Sequence, residues 1–226
     1  MDSELRRLVE RLQEENTSGD GSFRYVEGTL GGNHVILTQC GIGKGSAAGG
    51  AAELIRRFSP DCIVSTGVAG GIDACLKVTD VVASQRLVYH DVWCGDGNEY
   101  GQVQGFPASY EGCSSLLKHA LSLNEAGMES RIHSGLVCTG DQFITNRTEL
   151  DTIKQRFPDG LAVDMESAAI AQTCYLYNVP FLSFRIISDT PGVEDHASQY
   201  ADFWGTMAER SFLTIWTFLS TLPSNL

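Results

Sequence analysis

The sequence predicts an α/β fold around a central mixed β-sheet, and three observations carry that prediction. Short apolar runs such as "DCIVSTG", "SGLVCTG", "GLAVD" and "FLSFRIISD" alternate with stretches of helical periodicity. Four of those runs pass directly into glycine-rich or polar loops, "GVAGG", "GDQFI", "VDMES" and "ISDTPG". Sheets of this class bind ligands just beyond the carboxyl ends of their strands, so the four loops are expected to converge on one site. Finally, 226 residues of 42% apolar composition, with no linker, repeat or low-complexity tract, suit one domain over residues 1–226 with a substantial core.

The elements follow in order. Leu5, Leu8, Val9 and Leu12 recur at helical spacing and predict a helix over Asp2–Glu15, with Asp2 or Ser3 as its cap. Phe23–Leu30 and His34–Cys40 flank Gly31-Gly32-Asn33 and read as a hairpin. "GIGKGSAAGGAAELIRRF" passes from a glycine loop into a helix closed by Ser59-Pro60, and "DCIVSTGVAGG" is a buried strand entering a second glycine loop. "DVVASQRLVYHD" reads as a strand, Tyr110–Leu123 as a helix, and "SGLVCTGDQFI" as a strand ending in a polar loop. "GLAVD" is a strand feeding a helix that starts near Glu166 and stops at Asn178-Val179-Pro180. "FLSFRIISD" follows as a strand ending at "TPG", and Tyr200–Leu219 is a final, aromatic-bearing helix.

Composition removes several functions. Sixteen basic residues against 28 acidic ones leave a net charge of −12, which repels a phosphate backbone and argues against nucleic acid as partner. No apolar run reaches the length of a membrane span, and the charged opening "MDSELRRLVERL" is not a secretory signal. Seven cysteines, an odd number without a C-x-x-C pair, suit a reduced, cytoplasmic protein. A small molecule or another protein is the expected partner.

Several motifs fail on inspection. Gly41-Ile42-Gly43-Lys44-Gly45-Ser46 lacks the Walker spacing, which needs glycine where Thr38 stands and Ser or Thr where Gly45 stands. A dinucleotide fingerprint needs glycine at Ser46, and a nucleophile elbow needs glycine at Lys44. These glycines read instead as a tight turn with close backbone approach. His90, Asp91, Cys94 and Asp96 in "YHDVWCGD" are not at a recognised metal-ligand spacing.

The stretch "AVDMESAAIAQ" brackets Met165 with two carboxylates, Asp164 and Glu166, where a strand hands over to a helix. Asp164 could cap the helix, and Glu166 in its first turn could favour the helix dipole. Asp189, in "DTPG", could sit in a plain turn. Arg185, inside the apolar run "FLSFRIISD", demands an acceptor, because an unpaired buried charge is costly.

Taken together, "STGVAGGID", "YHDVWCGDGNEYGQVQGFPA", "CTGDQFITN" and "VDMESAAIAQTCYLYNVPFLSFRIISD" resemble the 5′-methylthioadenosine/S-adenosylhomocysteine nucleosidases of the nucleoside phosphorylase superfamily. The resemblance runs from about residue 1 to the final helix. It implies a three-layer α/β/α fold, a homodimer, an adenine nucleoside as ligand, and neither metal nor organic cofactor. It also assigns roles. Asp189 would donate a proton toward N7 of adenine, which needs a raised pKa, with Ser188 positioning it and Arg185 organising the acidic centre. Glu166 would bind the ribose hydroxyls and stabilise the oxocarbenium-like sugar, with Met165 against the sugar. Phe143 would stack on the purine and Ile144 present backbone groups to its edge, while Ala69 and Gly70 bring backbone close to the nucleoside. Ile42 and Tyr200 would line the alkylthio pocket. Asp164 would either support the water site or cap the helix.

The family also begins with a β-strand and an acidic cluster opening its first helix. Here that strand is absent and Met1-Asp2-Ser3-Glu4 stands at the cluster, so that Glu4 aligns with the glutamate that activates water. Val68 occupies a position where serine is frequent, and a side chain without a hydrogen bond disfavours phosphate. Hydrolysis of the adenine–ribose bond is therefore the expected reaction. A phosphate-dependent nucleoside phosphorylase and a catalytically impaired nucleoside-binding protein are the alternatives.

Overall fold

The computed structural model describes residues 2–19, 23–128, 130–191 and 196–223, without the side chains of residues 2–4, 196–197, 206 and 209–211. The first helix, α1 (Asp2–Val9), buries Leu8 and is shorter than its periodicity suggests. Beyond it, Gln13–Ser18 is an exposed strand, β1, antiparallel to β2 (Tyr25–Leu30). The expected helix to Glu15 is thus corrected: "QEENTS" has no apolar face, and its backbone is satisfied by pairing with β2. β2 pairs in turn with β3 (Asn33–Thr38) through a two-residue turn at Gly31-Gly32, where both φ angles are positive, at 59° and 84°. Gly31 is constrained twice, since a Cβ there would come within 1.8 Å of the Ser220 carbonyl oxygen.

α2 (Lys44–Phe58) ends at Ser59 in the left-handed conformation, ahead of Pro60. The remaining strands are β4 (Ile63–Gly71), β5 (Val81–Tyr89), β6 (Tyr110–Glu111), β7 (Ile132–Thr139), β8 (Gly160–Asp164) and β9 (Phe181–Asp189). Between them lie α3 (Ser114–Ser122), α4 (Arg147–Arg156) and α5 (Ser167–Tyr177). Here too the sequence reading is adjusted. Tyr110 and Glu111 pair with β5 before the helix begins. The final helix is α6 (His196–Asp202), one π-helical turn at Phe203–Met207, and α7 (Ala208–Ser220).

The second sheet runs β6-β5-β7-β8-β4-β9, and β5 also pairs with β9, so five strands close into a ring. β4–β9, β5–β7 and β7–β8 are parallel, whereas β4–β8, β5–β9 and β5–β6 are antiparallel. Helices cover it on separate faces. One core joins α1, α3 and α7 to β5 and β9, with Phe184 stacked on Phe218 at 4.7 Å. A second packs the small residues of α2 and α5 against β5, β7 and β8, and a third seats α4 on β7 and β8.

This topology sets the site. β4 and β8 meet only near their carboxyl ends, Gly70 opposite Val163 and Gly71 opposite Ala162. Gly70 also pairs with Asp189, and Asp164 with Thr139. The carboxyl ends of β4, β7, β8 and β9 are thereby drawn together, as the loop sequences imply. Among the described residues no strand precedes α1. β3 pairs only with β2, residues 63–69 of β4 pair only with β9, and both strands line one cavity of about 1140 Å³.

Candidate active site

Twelve of the thirteen predicted site residues line this cavity: Ile42, Ala69, Gly70, Phe143, Ile144, Asp164, Met165, Glu166, Arg185, Ser188, Asp189 and Tyr200. The side chain of the thirteenth, Glu4, lies outside the described residues. Its neighbours Leu5 and Leu8 on α1 do reach the cavity.

The centre is built around Arg185, which is 4% exposed on β9. Its Nε donates to Asp164 at 2.8 Å and to Ser167 Oγ at 3.0 Å, and its NH2 donates to Ser65 Oγ at 3.0 Å. These are the acceptors that a guanidinium in an apolar strand requires. NH2 also lies 3.8 Å from Glu166 Oε2, so one cation faces both carboxylates.

Asp164 is fully engaged. It accepts from Thr139 Oγ1 at 2.6 Å, from the backbone N–H of Ser167 at 3.2 Å and from the Ser167 hydroxyl, besides Arg185. Of the two roles open to it, this geometry favours the helix cap: the N–H it takes belongs to the first residue of α5. Glu166 is held more lightly, with Oε1 accepting the N–H of Gly43 at 3.1 Å. Burial raises its pKa above the usual carboxylate value; Arg185 opposes this, Asp164 reinforces it, and the N–H groups of Gly43 and Met165 oppose it.

Asp189 is 3% exposed at the end of β9. The Ser188 hydroxyl lies 2.5 Å from Asp189 Oδ1 and 3.4 Å from the Ala69 carbonyl oxygen. The adjoining turn is tied to α6 by the Thr190 N–H donating to Gln199 Oε1 at 2.9 Å. Phe143 is 58% exposed and meets Tyr200 edge-on at 6.0 Å. Ile144 turns its side chain into the third core, and Ile42, 66% exposed, stands at the rim.

Sequence reasoning did not single out the hydroxyls that hold this centre. Thr139 bridges Asp164 and the N–H of Ala168 at 2.9 Å, and Ser167 meets Ser183 at 2.6 Å. Ser65, Thr139 and Ser183 each interrupt an apolar strand, which was the available signal.

The strand-end cleft, its paired carboxylates and its aromatic rim define a nucleoside-processing site on a phosphorylase-type fold, and the comparisons place it further. The family model described as "Phosphorylase superfamily" matches residues 1–220. The 5′-methylthioadenosine/S-adenosylhomocysteine nucleosidase of Chromohalobacter salexigens is 41% identical over 199 residues, 88% of this chain and 85% of the relative. The crystal structure of the nucleosidase from Neisseria meningitidis, in complex with methylthio-immucillin-A, superposes with a TM-score of 0.92 at 34% identity, covering 98% of this chain and 96% of that one. The one from Colwellia psychrerythraea, in complex with adenine, gives 0.90 at 35% identity, covering 97% and 91%. The chain belongs to the phosphorylase superfamily and, within it, to the 5′-methylthioadenosine/S-adenosylhomocysteine nucleosidase family.

Proposed function

We propose that the chain hydrolyses the N-glycosidic bond of 5′-methylthioadenosine, S-adenosylhomocysteine or both, releasing adenine and the thio-ribose product. The observation that carries this reading is that Asp189, Glu166 and the Phe143–Ile144 loop line a single cavity at the carboxyl ends of the strands. Phe143 stacks on the purine, and the backbone at Ile144 reads its edge. Asp189, steadied by Ser188, protonates N7, because adenine leaves far more readily as a neutral base than as an anion. Glu166 binds the ribose hydroxyls and meets the positive charge that grows on the sugar, an interaction stronger in the transition state than in the ground state. Met165 and Ala69–Gly70 wall the sugar, Ile42 and Tyr200 face the alkylthio end, and Glu4 activates the attacking water. Arg185 fixes the geometry through Asp164 and faces Glu166.

Water is favoured over phosphate as the nucleophile because Val68, on the cavity wall, offers no hydrogen bond. Chromatography of reactions with methylthioadenosine, S-adenosylhomocysteine or inosine, each with and without phosphate, tests this. Adenine released without phosphate is the expected result. Product only with phosphate would make the chain a phosphorylase, and binding without turnover would make it a nucleoside-binding protein.

We also infer a cytoplasmic homodimer. The seven free thiols suit a reducing compartment. Tyr175, Leu176 and Tyr177 are left exposed at the end of α5, where Phe106 and Tyr110 meet Tyr175 edge-on. Light scattering should give twice the 24.5 kDa chain mass; a monomer would count against the dimer.

A further inference from the structure

The lysine of the failed phosphate-loop motif is bound into a three-membered node beside the cavity. Lys44 Nζ donates to both oxygens of Asp91 at 2.8 Å. Asp91 Oδ2 accepts the backbone N–H of Asp141 at 2.9 Å, and Asp141 Oδ1 accepts the backbone N–H of Lys44 at 2.7 Å. The ring of bonds is closed; the side chains of Lys44 and Asp91 are half-buried, 23% and 16% exposed, and that of Asp141 is 51% exposed. The ammonium also sits 5.4 Å from the Tyr89 ring centroid, and the Tyr89 hydroxyl donates to Gln172 of α5 at 2.7 Å.

What the node joins gives it a purpose. Lys44 follows Gly43, whose N–H holds Glu166, and Ile42, which lines the cavity. Asp141 precedes Gln142, Phe143 and Ile144, which line the same cavity. The approach is close, since a Cβ at Gly43 would come within 2.9 Å of Asp141 Oδ1. Asp91 is itself fixed, because the His90 N–H donates to the Thr139 carbonyl at 2.8 Å and the His90 ring packs on Gly140.

We propose that Lys44 is a positioning residue that acts through Asp91 and Asp141 to hold the Gly41–Gly43 loop against the Asp141–Ile144 loop, so that the ribose and purine contacts keep a fixed separation. The proposal rests on the nucleosidase reading for what the two loops bind. Without the ammonium, half-buried Asp91 and the more exposed Asp141 face each other with only backbone donors between them, and their repulsion, weakened by solvent at Asp141, loosens the gap between the loops. The consequence falls first on binding of base and ribose, and to a smaller extent on kcat through the Gly43 N–H that holds Glu166, while the proton donor Asp189 lies on neither loop.

The test uses the full chain and the variants Lys44→Met, Lys44→Arg and Asp91→Asn. Adenine affinity is measured by calorimetry, alongside KM and kcat for methylthioadenosine and the melting temperature. Lys44→Met should weaken adenine and raise KM about tenfold, with kcat falling by a smaller factor through the loosened Gly43–Glu166 contact. Lys44→Arg should recover most of the loss, and the double variant Lys44→Met/Asp91→Asn should be no worse than the worse single one. Unchanged adenine affinity and KM would overturn the proposal, as would a loss confined to kcat or additive effects in the double variant. If Lys44→Met does not fold, Asp91→Asn with and without Lys44→Arg carries the same comparison. Adenine binding separates the two readings: if the parent chain binds adenine without hydrolysing nucleosides, and the variants weaken that binding, the hydrolytic reading falls and the positioning role stands.

Discussion

Asp189 and Glu166 are both acidic and both border the cavity, yet the proposed function gives them opposite tasks. Asp189 is shut in at the end of an apolar strand, where the Ser188 hydroxyl at 2.5 Å holds its carboxyl in place. Asp189→Asn keeps the shape and removes the proton, so kcat should fall by about 10²–10⁴-fold while adenine still binds. A kcat within tenfold of the parent would remove Asp189 from the chemistry. Glu166 must be charged to meet a cationic sugar, and its pKa is held above the ordinary value by burial and Asp164, against Arg185 and the Gly43 and Met165 N–H groups. Because the folded pKa is the higher one, folding takes up a proton between the unfolded and folded values. The group's contribution to stability therefore declines as pH rises through that window. Activity moves the other way. It should be lost on acidification through the raised pKa, giving kcat/KM an acid limb above the ordinary glutamate value of about 4.3, and Glu166→Gln should abolish that limb. A limb at the ordinary value, or one kept in the variant, would contradict this assignment.

At the scale of elements, the junction of β8 and α5 depends on β9. Arg185 supplies a cation in contact with Asp164 at 2.8 Å, and the Asp164 side chain is 1% exposed. Arg185→Leu leaves a buried carboxylate with hydroxyl and N–H donors only, which should cost about 3–5 kcal/mol of unfolding free energy in a urea titration. A loss under 1 kcal/mol would mean that Thr139 and Ser167 suffice. The need for this acceptor was readable from an arginine inside "FLSFRIISD", and the convergence of loops from the strand-then-glycine pattern, because both follow from what buried polar groups require. Two elements were less legible, for different reasons. β1 is polar along its whole length and is a strand only because β2 lies beside it. α4 carried a local signal that went unused: Asn146 caps it, its side chain accepting the Glu149 N–H at 3.0 Å. A hydroxyl such as Thr139 inside an apolar strand signalled a buried polar partner, but which partner depends on register between β7 and β8, which no local pattern encodes.

At the scale of the molecule, the cavity separates parts that no strand pairing joins among the described residues: the β1–β3 sheet on one side and the closed ring on the other. Unpaired edges at β3 and β4 leave this boundary held by side-chain packing, with Val35 and Leu37 of one part and Val64 and Val68 of the other resting on the same core. A ligand in the cavity would touch Ile42 beyond β3, Ala69 and Gly70 at the end of β4, and the Phe143 loop, and so would bridge the two parts. The unfolded chain has no such site, so binding adds directly to stability. Adenine at about 100 times its dissociation constant should add about 2.7 kcal/mol, raising the melting temperature by about 5–10 °C for a chain of this size. Hypoxanthine at the same concentration should raise it less, because, on the proposed reading, the backbone at Ile144 meets the adenine amino group where hypoxanthine presents a carbonyl. An equal shift from both, or a shift from phosphate alone, would mean that the base is not read where Phe143 and Ile144 place it.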